Sequence, residues 1–321
     1  MTCCLWPPQG LALDPVASLL YVLDSQPSPS SLNGSIGVFR LAAGPGSLAS
    51  LGSITTPPQP HSLTLSSNRR LLYLTTSSQD KLVQMDLAAR TCTPLPLVNN
   101  TLVEPQGVVL HPNGLLYIAD AGSNMLWSYN FSTTELQAVA GEVNMSQPNI
   151  AHFVRPFGVA IDSDRSLLVT DQAGCTLKRV SVPGYNDDTS YSVSYVVGEV
   201  AVASAANACG SRPSPMHLIS GVVYGDVQQA RGELLASQLL HPGAVQVDAL
   251  GTIFVREGDG EVGGKVVQID RSLDQVSSLP FNVSGWVVGG MALGPSSRSL
   301  FLASRTFITQ NSIVPTSMIM G

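Results

Sequence analysis

Histidines, carboxylates and cysteines are the side chains through which this 321-residue chain could bind a metal, move a proton or form a covalent bond. The five histidines, His61, His111, His152, His217 and His241, show neither H-x-H nor H-E-x-x-H spacing, so no two imidazoles are preset on one face for a zinc site. His61 and His241 each adjoin a proline that opens an apolar strand, and they are the one pair with a prospect of acting together. His111 follows Val108-Val109-Leu110 and reads as a turn residue. There is no G-x-S-x-G elbow, phosphate-binding loop or EF-hand loop. The glycines of 258–264 fall between two strand-like runs, where a hairpin connection accounts for them. The sequence therefore offers no catalytic residue and no metal-ligand set.

Cysteine and asparagine usage speaks to compartment. Cys3, Cys4, Cys92, Cys175 and Cys209 have no C-x-x-C spacing, which favours disulfides over metal. Cys175 opens a strand-like segment and Cys209 lies in a long loop beyond it, so a Cys175–Cys209 bridge is expected, with buried reduced cysteines as the alternative. Closing a loop of about 33 residues stabilises by roughly 3–4 kcal/mol if unstrained. The pairing of Cys3, Cys4 and Cys92 stays open. Asn33, Asn99, Asn130, Asn144 and Asn282 each stand in an N-x-S/T sequon, all in turn or outer-strand regions. Together these features imply a glycoprotein that is extracellular or on the cell surface.

The elements that must position these residues form a repeat. Pro105-Gln-Gly-Val-Val-Leu-His111 runs to Leu116-Tyr-Ile-Ala-Asp120, and Pro156-Phe-Gly-Val-Ala-Ile-Asp162 runs to Leu168-Val-Thr-Asp171. A third copy begins at Pro8 and ends at Asp24; weaker ones begin at Pro60, Pro242 and Val288 and end at Thr76, Glu257 and Ser304. Matched positions Asp14, Ser66, His111 and Asp162 are separated by 52, 45 and 51 residues, Asp162 and Asp248 by 86, and Asp248 and Gly294 by 46. A period near 45–52 accommodates four strands with turns, one propeller blade. The long interval is one blade plus an insertion at about 199–241. The expected fold is thus all-β, a single six-bladed β-propeller over residues 1–321, with the insertion between blades 4 and 5. The last blade would take its fourth strand from residues 312–320 or from 2–6.

The phrase Pro-x-Gly, apolar strand, Asp, turn, apolar strand, Asp resembles the NHL-repeat family of β-propellers. The match is close in three units and degenerate in three, where Ser62 and Ala244 replace Gly and Thr76, Glu257 and Ser304 replace the final Asp. Such propellers host RNA binding, sensing, lyase chemistry and scaffolding, so the resemblance concerns fold.

Composition narrows the partners. Charged residues are 12%, against a usual quarter, and net charge is −6 with no basic run beyond Arg69-Arg70, which argues against nucleic acid. No apolar run is long enough to span a bilayer, and Met1–Gly10 lacks a signal-peptide pattern, so a secreted form would be a mature chain or a piece of a longer one. Strand starts and second-strand ends share one face, which collects Gln9, His61, Gln106 and Phe157 with Asp24, Asp120, Asp171 and Glu257. The acids read as turn caps; a carboxylate ring around a structural cation, the one cofactor considered, is interrupted at Thr76 and Ser304. The loops 141–155 and 199–241 extend the same face, with His241 and Tyr224 in or beside them. The function expected is non-catalytic binding of a protein or glycan, or self-assembly in a cell-surface or filament structure. The alternative is a secreted lyase or hydrolase with a cation in the channel.

Overall fold

The computed structural model describes residues 10–24, 33–41, 48–78, 81–98, 102–141, 152–185, 190–198, 239, 241–258, 265–272, 275–279, 288–294, 299–304 and 308–312. The first sheet is β1 (Gly10–Asp14), β2 (Leu19–Asp24), β3 (Asn33–Leu41) and β4 (Leu48–Pro58). The second is β5 (Pro60–Leu65), β6 (Leu71–Thr76), β7 (Leu82–Asp86) and β8 (Thr91–Pro94). The third is β9 (Pro105–Leu110), β10 (Leu116–Asp120), β11 (Met125–Asn130) and β12 (Glu135–Gly141). The fourth is β13 (Pro156–Ile161), β14 (Leu167–Asp171), β15 (Thr176–Val180) and β16 (Val193–Val197). The fifth is β17 (Val245–Val247), β18 (Ile253–Glu257), β19 (Lys265–Asp270) and β20 (Gln275–Ser278). A sixth sheet holds β21 (Val288–Leu293), β22 (Ser299–Ser304) and β23 (Ile308–Ser312).

Every sheet is an antiparallel meander, and the first strands neighbour one another in cyclic order, with β21 returning to β1. This is a β-propeller, and the inner strands fall where the repeat places them. Four-stranded blades number five, not the six expected; the sixth sheet has three strands because both segments proposed for its fourth, 2–6 and most of 312–320, lie outside the described residues. So does almost all of the expected insertion. No helix occurs among the described residues, hence none long and apolar enough to cross a membrane.

The second strands explain the stacking. Leu20-Tyr-Val-Leu23 and Leu116-Tyr-Ile-Ala119 are apolar at every position, because each blade is covered on both faces by its neighbours. Successive side chains point to opposite faces: Leu23 joins Leu63, Leu72 and Leu74 between the first and second sheets, while Leu20 and Val22 join Ala292, Phe301 and Ala303 between the first and sixth. The latter cluster closes the ring; each large side chain in it contributes about 1.5–3 kcal/mol of burial. Outer strands such as β4 and β12 are largely exposed.

Four of the hairpins joining first and second strands share one geometry. The amides of Arg69, Gly114, Arg165 and Gly251 donate to the carbonyls of Ser66, His111, Asp162 and Asp248, with φ of 58°, 87°, 70° and 83°. The turns therefore hold across non-glycine residues, and Asp162, whose side chain is fully buried, uses its turn as an anchor for Arg271 at 2.5 and 2.7 Å. His111 likewise accepts from the Asn113 amide at Nδ1, so Nε2–H donates to the Arg165 carbonyl of the next sheet. It is a turn residue, as its position implies.

Candidate functional site

The six first strands enclose a channel of about 540 Å³. Its mouth lies where those strands begin, and there His61, Gln106 and Phe157 converge from β5, β9 and β13. Glycine is required at this level because the strand starts nearly touch. A Cβ on Gly107 would lie 2.5 Å from the Phe157 carbonyl oxygen, and one on Gly158 would lie 2.4 Å from that of Gly243.

The other expected face residues do not join this group. His241 is half-buried at φ 45° just before the fifth sheet, does not line the channel, and sits three sheets from His61. The histidine pair suggested by the prolines therefore fails, since strand starts in the second and fifth sheets face each other across the ring. Gln9 and Tyr224 lie outside the described residues, as do residues 142–151 and most of 199–241.

His61 Nε2 meets the Ser77 hydroxyl, while Nδ1 is buried without a hydrogen-bond partner among the described residues. Burial lowers its pKa to about 4 against the opposing pull of Glu104, so the imidazole is neutral at pH 7. Behind the rim, Glu104 accepts from Gln106 Nε2 at 3.1 Å and from Arg155 at 2.5 Å. Arg155 Nε in turn donates to Gln172 Oε1 at 3.1 Å. Lys81 Nζ donates to the carbonyls of Ser77 and Val103. The charged groups here hold strand starts together.

The acids at second-strand ends act differently from local turn caps. Asp120 accepts from the amides of Val103 (2.9 Å) and Glu104 (2.7 Å) as well as from Ser123 Oγ in its own turn. Asp171 accepts from Val154 and Arg155. In an antiparallel pair the end of the second strand lies beside the start of the first, so each carboxylate reaches amides 16 or 17 residues back and fixes the chain as it arrives at the mouth. Glu257 pairs with Lys265 at 3.0 Å. Asp24, Asp120, Asp171 and Glu257 all stay off the channel wall.

Asp171 also holds Lys178, a residue that no motif in the sequence marks. Both side chains are fully buried, with Nζ 3.4 Å from Oδ2. Nζ also donates to the His152 carbonyl and lies 4.9 and 5.3 Å from the ring centroids of Phe153 and Tyr195. Burial lowers the Lys178 pKa, opposed by Asp171. A buried carboxylate between two amides and an ammonium is a fastening.

Of the sequon asparagines, Asn33 is exposed at the start of β3 and Asn130 half-buried at the end of β11, its Oδ1 accepting from the Ser132 amide. Asn99, Asn144 and Asn282 lie outside the described residues, as do Cys3, Cys4 and Cys209. Cys175 is 2% exposed, and its carbonyl accepts from the Leu239 amide at 3.1 Å, which brings the returning chain beside it. Of the described cysteines Cys92 is the free thiol, half-buried, its pKa raised by burial. No group of three His, Cys, Asp or Glu suited to a metal occurs among the described residues.

The chain matches no family model and no curated protein. Solved structures share its architecture. A putative gluconolactonase is 13% identical, with 96% of this chain and 90% of that one covered and a TM-score of 0.59. Virginiamycin B lyase from Staphylococcus aureus is 12% identical over 98% and 97%, TM-score 0.56. A chain of a nidogen–laminin complex is 18% identical over 85% and 79%, TM-score 0.52. At such identities the likeness establishes the propeller fold alone.

Proposed function

We propose that this is an extracellular, N-glycosylated, NHL-like propeller of six blades that works by binding a protein or glycan partner, or further copies of itself, through the mouth face. The observation that carries this reading is the use of the strand-end acids: Asp120 and Asp171 are occupied by backbone amides and Lys178, and none reaches the channel. The spacing of the repeat assigns the segments 141–155 and 199–241 to connections that would extend the same face, and long loops on a rigid ring are the usual material of a binding surface. Low surface charge suits a lasting contact, because few ions must be desolvated. A propeller of the same fold belongs to a nidogen–laminin complex, so the scaffold is compatible with protein contacts.

Two features would prepare the face. A Cys175–Cys209 bridge would tether the insertion; the burial of Cys175 and its absence from the free thiols support it. Glycans on at least two of Asn33, Asn99, Asn130, Asn144 and Asn282 would cover the outer regions, leaving the mouth open. Deleting residues 203–232 tests the reading: the ring should stay folded while an interface of at least ~1,000 Å² with the native partner is lost. Retained binding would contradict it.

A second reading is a lyase or hydrolase with a cation in the channel, supported by the shared fold of the putative gluconolactonase and virginiamycin B lyase. Metal analysis of native protein together with turnover would favour that reading.

A further inference from the structure

No Asp, Glu, Lys or Arg lines the channel among the described residues. Its polar side chains are His61, Ser62, Thr64, Gln106 and Gln246. To these are added backbone amides and carbonyls, since each first strand is the terminal strand of its sheet and has no strand partner on the channel side. Of the charges near the mouth, Glu104 pairs with Arg155, Lys81 donates to two carbonyls and Arg256 to the Gly258 carbonyl. Phe157 is half-buried on the rim, and Ser62 and Gln246, also half-buried, line the channel with polar side chains.

These features select by charge. An ion entering such a space gives up hydration and meets no counter-charge, a cost that an apolar or neutral-polar wall does not repay. A neutral hydroxylated molecule instead exchanges water for amide and hydroxyl partners, while its C–H faces lie on an aromatic ring. The volume falls in the range of small-ligand sites, about 300–1,000 Å³.

We infer that the channel is a binding site for a neutral, hydroxyl-bearing small molecule of mono- to disaccharide size, seated on Phe157 and hydrogen-bonded to Ser62 and Gln246. The site is separate from the macromolecular contact above, since it lies among the first strands and not on the loops.

The test uses the full chain in titration calorimetry and saturation-transfer NMR. The probes are methyl glucoside, methyl galactoside, maltose and lactose, with glucuronate, glucosamine and calcium chloride as charged counterparts. At least one neutral sugar should bind saturably, and the charged probes about tenfold or more weaker. Phe157→Ala should weaken that sugar about tenfold. Gln246→Trp, which fills the channel from the fifth sheet, should abolish binding with thermal unfolding unchanged, and serves if Phe157→Ala fails to fold. Deleting residues 203–232 should leave the sugar affinity unchanged, so failure here and failure of the loop contact give different results. The inference is overturned if no neutral sugar saturates below about 50 mM, if glucuronate or calcium binds as tightly, or if Gln246→Trp leaves the affinity intact.

Discussion

Removing the carboxylate of Asp171 should damage the ring far more than removing the ammonium it holds. Asp171→Ala strands the fully buried Lys178 charge, and an unpaired buried charge costs about 3–5 kcal/mol. It also orphans the amides of Val154 and Arg155, each worth about 1 kcal/mol or more. These terms overlap, so the expected loss is at least about 4 kcal/mol. Lys178→Met behaves differently: Asp171 keeps two amide donors, and the methionine chain packs against Phe153 and Tyr195 in place of the lysine stem. About 2–3 kcal/mol is expected, because the buried Asp171 carboxylate loses its ammonium but keeps both amide donors, and the methionine fills the vacated space. Urea unfolding at pH 7, followed by tryptophan fluorescence and far-UV circular dichroism, gives both values. Equal losses, or a larger loss for Lys178→Met, would refute the assignment of Asp171 as the hub.

Gly158→Ala should cost about 2–3 kcal/mol, because its Cβ would meet the Gly243 carbonyl oxygen at 2.4 Å; Gly52→Ala, at φ 105° with open space around it, should cost only about 1 kcal/mol, and equal midpoints in urea would contradict the close approach. His61 has a folded pKa of about 4, below the ordinary 6.5. The unfolded chain therefore takes up the proton first, so stability should fall as pH drops from about 6.5 to 4, by about 3 kcal/mol from this residue. His61→Gln should flatten that segment of the stability–pH curve, and an unchanged slope would remove the burial argument. Arg271→Met should destabilise by about 2–4 kcal/mol by leaving buried Asp162 without its bidentate partner; a thermal midpoint equal to that of the parent chain would show that latch to be dispensable.

The strands were legible because both the phrase and its period are local: Pro105-Gln-Gly-Val-Val-Leu and Pro156-Phe-Gly-Val-Ala-Ile mark strands β9 and β13 from their first residue. Even Ser62 and Ala244 interrupt the pattern without displacing β5 or β17. Long-range roles were not legible. Lys178 reads as an ordinary charged residue within Thr-Leu-Lys-Arg-Val, and its partners come from 7 and 26 residues upstream and from an outer strand. Asp120 and Asp171 suggested local turns because Gly and Asn follow closely, whereas their acceptor sites depend on strand pairing. One feature of the channel is local in sequence. The first strands carry no Asp, Glu, Lys or Arg before their final position, which already describes an uncharged channel wall.

Hydrogen–deuterium exchange on the native assembly, compared with the isolated chain, tests the central claim most directly. Binding through the mouth face should add protection in 141–155 and 199–241 and leave the opposite hairpins, 66–70, 111–115 and 162–166, unchanged. Protection confined to those hairpins, or none at all in a protein that turns over substrate with a channel cation, would contradict it.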